Sequence, residues 1–241
     1  MPGRPAADRG EDQEKAKAKD GPRGLRKFLW EHSLTLVLLG LFFVTLVGQV
    51  GAGIRVYNSD QQEHGESPVG LGQYLTTGHF VEAVTENWES EWLQMGAFVL
   101  LTVFLRQKGS PESKPMEGEE EVDREPDPNK PDAPAAVRAG GVVLWLYSNS
   151  LLIAFLLLFA VSLFLHAVGG AKEYSAEQLS HGQPGVTLGK YLLTSKFWFE
   201  SMQNWQSEFL SIAAMVYLSV YLRQKGSPES KPVDASHDER E

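Results

Sequence analysis

Asn87-Trp88-Glu89-Ser90-Glu91, then an apolar run, then Leu105-Arg106-Gln107-Lys108-Gly109-Ser110-Pro111-Glu112-Ser113-Lys114-Pro115: this stretch decides the fold because it recurs. Asn204-Trp205-Gln206-Ser207-Glu208 leads through a second apolar run into Leu222 and the same residues up to Pro232, at an offset of 117. Extended backwards without a gap, that offset gives 39 identical residues among the 83 pairs from Ser33/Ser150 to Pro115/Pro232. Self-similarity on this scale marks an internal duplication, so what one copy builds the other should build again.

Each copy holds two apolar runs. Leu34 to Val50 reads LTLVLLGLFFVTLVGQV, and from Ser33 to Gly53 it supplies the ~20 residues that a bilayer core of ~30 Å requires. A signal peptide would share the basic approach and small residues, but the equivalent segment of the second copy follows an internal linker. Trp92 to Leu105 is too short at 14 residues, or about 21 Å. Starting that helix at Asn87 or Trp88 lengthens it to about 27 Å and sets Trp88 and Trp92 in the interfacial aromatic belt. The third span runs from about Val142 or Asn149 to Gly170 and the fourth from Trp205 to Leu222. The pattern predicts an all-α integral membrane protein with four transmembrane helices, two parallel repeats of a helical hairpin. Gly96 and Ala97, matched by Ala213 and Ala214, should let the second and fourth spans approach closely.

Polar segments divide the 241 residues. Residues 1–24 form an expected disordered tail, 25–115 the first two-span repeat, 116–138 an acidic, proline-rich disordered linker, 139–232 the second repeat and 233–241 a C-terminal tail. Ten Lys and Arg residues flank one side of the spans (Arg23, Arg26, Lys27, Arg106, Lys108, Lys114, Arg138, Arg223, Lys225, Lys231) and four the other (Arg55, Lys172, Lys190, Lys196). The positive-inside rule puts both termini and the linker in the cytoplasm of a multi-pass cell-membrane protein. The absence of cysteine excludes disulfides and thiolate chemistry, and six scattered histidines offer no tight ligand spacing, so neither metal nor cofactor is expected. A net charge of -9 gives no reason to expect nucleic-acid binding. Expected partners are the lipid bilayer and a protein partner or a second copy of the chain.

Two constellations recur in both copies. Asn87, Trp88, Ser90 and Glu91, with Asn204, Trp205, Ser207 and Glu208, could form facing polar sites at the outer mouth of a bundle, since ionisable residues within a membrane boundary mark ion or substrate paths. The plainer reading is helix capping by Asn and Ser, dipole compensation by Glu and anchoring by Trp. At the other end, Arg106, Lys108, Glu112 and Lys114, with Arg223, Lys225, Glu229 and Lys231, suit a cytoplasmic interaction turn, or simply the anchors and breakers that end a helix. Identity is uneven, seven of 18 over Ser33 to Val50 against 11 of 11 over the turn. His64-Gly65 and His181-Gly182 sit in matching loops, where exposed histidine is commoner than a metal or pH site. His166 faces only Gln49 in the repeat, so a paired-histidine haem site has no support.

Tyr74-Leu75-Thr76 with Phe80, the Asn-Trp-x-Ser-Glu elements and Arg-Gln-Lys-Gly-Ser-Pro-Glu-Ser-Lys together resemble bacterial four-span membrane proteins catalogued only as a domain of unknown function. The resemblance covers the chain apart from its tails and linker, and it implies the four-span fold without an activity or a functional residue. The expectation is therefore a non-enzymatic integral membrane protein with a structural or interaction role, with a small transporter or channel component as the alternative. No nucleophile, base and acid arrangement and no phosphate-binding glycine loop favours an enzyme.

Overall fold

The computed structural model describes residues 24–238, and among them every regular element is helical. The expected N-terminal tail up to residue 23 and the end of the C-terminal tail lie outside the described residues. The chain divides into two compact units, Met1–Pro68 and Val69–Glu241.

The first unit holds α1 (Leu25–Glu31) and α2 (Ser33–Glu63), separated by a break at His32. At 31 residues α2 is about 46 Å long. It therefore outruns the expected end at Val50 and takes in residues whose polarity suggested a loop. Its termination is legible: Glu66 N–H donates to the Gln61 carbonyl and Gly65 N–H to that of Gln62, with Gly65 at φ +78. That is a Schellman cap, which needs the left-handed residue glycine supplies. His64 precedes it, its Nδ1 2.9 Å from the Asp60 carbonyl.

The second unit contains α3 (Leu71–Tyr74), α4 (Gly78–Phe104), a 3-10 turn at Glu121–Asp123, α5 (Ala135–Ala139), α6 (Gly141–Ser148), α7 (Ser150–Ser180), α8 (Leu188–Tyr191) and α9 (Ser195–Tyr221). Helices α7 and α9 pack along α4, and α8 folds back on α7. The bounds of α2, α3 and α4 recur 117 residues later as those of α7, α8 and α9. Gly182 repeats the cap of α2 at the end of α7, with φ +71 and His181 before it.

The expected helix start at Asn87 or Trp88 is corrected. Helices α4 and α9 begin about ten residues earlier, where the Thr77 hydroxyl accepts from Phe80 N–H at 3.2 Å and the Thr194 hydroxyl from Phe197 N–H at 3.3 Å. Threonine is a good N-cap residue, so Asn87, Ser90, Asn204 and Ser207 lie well inside helices and cap nothing. Gly96 is also placed differently, against Phe155 and Leu152 of α7. The α4–α9 approach is polar: Gln94 Nε2 donates to the Glu208 carbonyl and to Ser211 Oγ, each at 2.8 Å.

Helices α2 and α7, which contain 18-residue stretches of mean hydropathy 2.2 and 2.7 respectively, are long and apolar enough to cross a membrane. In the second unit the usual distribution is inverted. Leu151, Leu157, Val161, Phe164, Leu210 and Leu218 are exposed, whereas Glu82, Glu89, Ser90, Gln94, Ser162, His166 and Ser201 are buried. Water-soluble cores place these classes the other way round.

Candidate functional site

Glu82, Glu86 and Glu89 follow one another on α4 at spacings of four and three residues, which puts three carboxylates on one helix face. From α7 comes His166, from the end of α8 Tyr191, and from α9 Lys196, Glu200 and Trp205. His166 and Glu89 are fully buried, and Glu82 is 8% exposed. The His166 Nδ1 lies 3.0 Å from Glu89 Oε2, and Trp205 Nε1–H donates to the other oxygen of Glu89 at 3.2 Å. A carboxylate can only accept, so His166 carries its proton on Nδ1 and donates it. The opposite ring nitrogen, Nε2, has no hydrogen-bond partner among the described residues, and it faces Glu200 Oε2 at 3.7 Å. The imidazole packs at a tilt of 35° against the Phe197 ring, with centroids 5.1 Å apart.

Tyr191 ties the other two carboxylates together. Its hydroxyl lies 2.8 Å from Glu200 Oε2 and 3.2 Å from Glu82 Oε1. One phenol hydrogen cannot serve both, so the shorter contact is its donation to Glu200. The longer one is attractive when Glu82 carries a proton and donates it to the phenol oxygen. Titration agrees for these two groups, which precede the expected spans. Burial first, and the Glu200 charge second, push Glu82 up to about 7. Burial alone would raise Glu200, but the Lys196 ammonium and the Tyr191 hydroxyl on its oxygens, with the His166 ring beside them, outweigh it and hold Glu200 at about 2. Burial and the adjacent carboxylates drive the Tyr191 phenol well above its usual range. Lys196 completes the set with an ion pair of 2.9 Å to Glu200 Oε1.

Glycine makes the convergence sterically feasible. A Cβ on Gly170 would sit 2.8 Å from Glu82 Oε1 and collide with the Tyr191 phenol, and one on Gly169 would meet the Glu82 backbone nitrogen at 2.6 Å. A Cβ on Gly78 would meet the Gly169 carbonyl at 2.7 Å. The backbones of α4 and α7 therefore touch at this level, and a pair of larger residues at 169 and 170 would push the carboxylate away from the histidine.

The residues expected to form facing outer sites do so only in part. Asn87, Trp88, Glu91 and Ser207 are exposed, and Asn204 and Glu208 are half-buried. The Asn87 and Asn204 amides and the Ser90 and Ser207 hydroxyls bond to carbonyls of their own helices. Trp205 reaches the buried cluster through Glu89, and the Asn204 side chain bonds to Glu86. Glu82, Glu86, Glu89, Tyr191 and Glu200 are not among the sequence candidates, although the four-three spacing of acids before an apolar run is a readable signal; His166 enters there only as a haem ligand and Lys196 only as a topology residue.

The two exit turns are built alike. Ser113 Oγ accepts from Gln107 N–H at 2.7 Å, and Ser230 Oγ from Gln224 N–H at 2.9 Å. Gly109 and Gly226 take φ +79 and +87. Ser113 thus has a structural duty that its sequence did not suggest. Arg106 folds back onto the Val103 and Leu105 carbonyls, Lys108 pairs with Asp238 at 3.2 Å, and Lys114 pairs with Asp123. In the second copy Arg223 and Lys231 hold the carbonyls of Ala235, Ser236 and His237. The backbone N–H groups of Glu112 and Glu229 bond to Ser110 and Ser227, and Lys225 is exposed.

No curated protein and no solved structure matches the chain. A family model does, over residues 25–241, and with that coverage the chain belongs to the family described as Domain of unknown function (DUF6766).

Proposed function

We propose that this is a four-span integral membrane protein, built by duplication of a helical hairpin, that handles cations at the buried site between α4, α7 and α9. Both termini lie in the cytoplasm of the cell that carries it. The inverted distribution of side chains supports the membrane setting, since exposed leucine and phenylalanine around buried acids suit a hydrocarbon solvent. Gln94 and Ser211 occupy equivalent positions in the two copies and touch. Contact between counterparts is what a pseudo-two-fold axis along the membrane normal would produce, as in parallel transporter repeats.

The observation that carries the functional reading is charge. Glu82, Glu86, Glu89 and Glu200 bring four carboxylates together against Lys196 and one ionisable His166. Uncompensated buried charge is too costly to maintain, so the cluster draws in positive charge as protons or metal cations. A small transporter or channel component fits this better than a purely structural role. The structural and interaction reading keeps one specific support, the serine and glycine turn that both copies make.

The test is flux of protons and divalent cations into proteoliposomes. Glu89→Gln and Glu200→Gln should lower it at least tenfold, with Glu91→Gln/Glu208→Gln close to wild type. Equal flux in all variants would remove the site from the path. Topology is checked by cysteine labelling in intact cells: Ser59→Cys and Ser175→Cys should react with an impermeant thiol reagent and Ser110→Cys should not. Labelling of Ser110→Cys alone would invert the orientation.

A further inference from the structure

We infer that Glu82, His166 and Glu200 form the binding site for one divalent first-row transition-metal cation, of which zinc is the type. This rests on the cation-handling reading and gives it a ligand class. A candidate ligand atom from each of the three residues lies within 4.8 Å of the others.

Acidic clusters are common, and what distinguishes this one is His166. It is fully buried, and its Nε2 is a polar atom without a hydrogen-bond partner among the described residues. Leaving a buried nitrogen unsatisfied is unfavourable, so an imidazole fixed in this way calls for an occupant. The fixing is specific. Donation from Nδ1 to Glu89 at 3.0 Å leaves the lone pair of the neutral ring on Nε2, which faces Glu200. A carboxylate behind the imidazole is the outer partner that metal-bound histidines characteristically have, because it sets the tautomer and strengthens the ligand. Trp205 fixes Glu89 in turn.

Spacing points the same way. Nitrogen and oxygen ligands about 2.0–2.2 Å from one tetrahedral cation stand roughly 3.3–3.6 Å apart. The 3.7 Å between His166 Nε2 and Glu200 Oε2 is too long for a hydrogen bond and close to that span. Tyr191 holds Glu82 Oε1 and Glu200 Oε2 on a shared hydroxyl, so both oxygens are already turned towards one another. A mixed set of one imidazole and two carboxylates selects zinc and its first-row neighbours over magnesium and calcium, which favour all-oxygen cages. Three protein ligands leave a coordination position for water or for a passing ligand.

The experiment uses the full chain, purified without a polyhistidine tag, in detergent and stripped with a chelator. Zinc titrated by calorimetry should bind at about one equivalent per chain, more tightly at about pH 8 than at about pH 6, because protons compete for the same atoms. His166→Gln and Glu82→Gln/Glu200→Gln should each weaken it by at least 100-fold. Glu89→Gln, a positioning change, should weaken it by roughly 10–100-fold. His64→Gln/His181→Gln should leave it unchanged, and an excess of magnesium or calcium should not displace it. If His166→Gln does not elute as a folded species, Glu89→Gln and the double glutamate variant carry the same readout. Absence of zinc binding, or zinc binding indifferent to these substitutions, overturns the site. Proton flux without zinc binding would sink the metal alone, and one tight equivalent of zinc without any ion flux would sink the transport reading alone.

Discussion

The exit turns and the buried cluster lie in one compact unit, and the repeat treats them in opposite ways. Over Leu105 to Pro115 every residue recurs in the second copy, and both copies make the same serine and glycine turn. Over Gly78 to Glu86 only Phe80 recurs. The counterparts of Glu82, Glu89 and His166 are Phe199, Gln206 and Gln49, and that of Glu200 is Ala83. Of the residues around these charges, the aromatic Tyr191, Phe197 and Trp205 keep their partners, Tyr74, Phe80 and Trp88. What the copies share builds backbone; what they do not share brings together the charges. Two similar halves of the sequence thus carry, among the described residues, one buried cluster of charges.

The strongest way to break this contrast is to remove a charge from the buried cluster and, two residues on, an exposed one that recurs in both copies. Glu89→Ala should cost about 3–5 kcal/mol, because it strips a buried imidazole and an indole of their acceptor. Glu91→Ala, on an exposed position, should stay within about 0.5 kcal/mol. Thermal unfolding in detergent reads both, and equal losses would erase the distinction.

Next comes pH. The folded value of Glu82, about 7, exceeds its reference of 4.5. Below the reference both folded and unfolded chains are protonated, and between the two values the folded chain holds the extra proton. Its contribution to stability is therefore complete in acid and lost as pH rises to about 7, by roughly 3 kcal/mol. Comparing melting of wild type and Glu82→Gln across that window should show the gap drift in favour of the variant. A constant gap would refute the shared proton.

Gly170→Ala should cost about 1–3 kcal/mol through overpacking against Glu82 and Tyr191. Gly40→Ala and Gly48→Ala, which meet open space, should be neutral or stabilising. Smallest are the twins: Ser113→Ala and Ser230→Ala should each cost about 1 kcal/mol, and alike, because each orphans one backbone N–H. Unequal losses would mean that the turns share a sequence but not a duty.

The helices themselves were legible, because apolar runs of this length leave little choice and the repeat supplied a second reading of each boundary. Their starts were not. Thr77 and Thr194 look like any other polar residues before a helix, and the interfacial tryptophans drew the start to Trp88. The site stayed hidden for a different reason. Recurrence pointed to Asn87, Ser90 and Glu91, whereas the cluster is assembled across α4, α7 and α9, with Glu89 77 residues from His166 and 116 from Trp205. No spacing along the chain can display such a convergence. The one local cue was the acidic face at 82, 86 and 89.

Direct backbone contact at Gly78, Gly169 and Gly170 also bears on how the protein can answer a change in its surroundings. A slide of α7 by a single residue, about 1.5 Å, would carry the methyl of Ala171 or the side chain of Val168 towards a place where only hydrogen fits. The axial register of this helix is locked at one end. In the proposed four-span arrangement, a thicker or thinner bilayer would then be met by tilt of the apolar half, Ser150 to Leu165, so the glycine-locked end would act as the pivot and the charges would stay where they are.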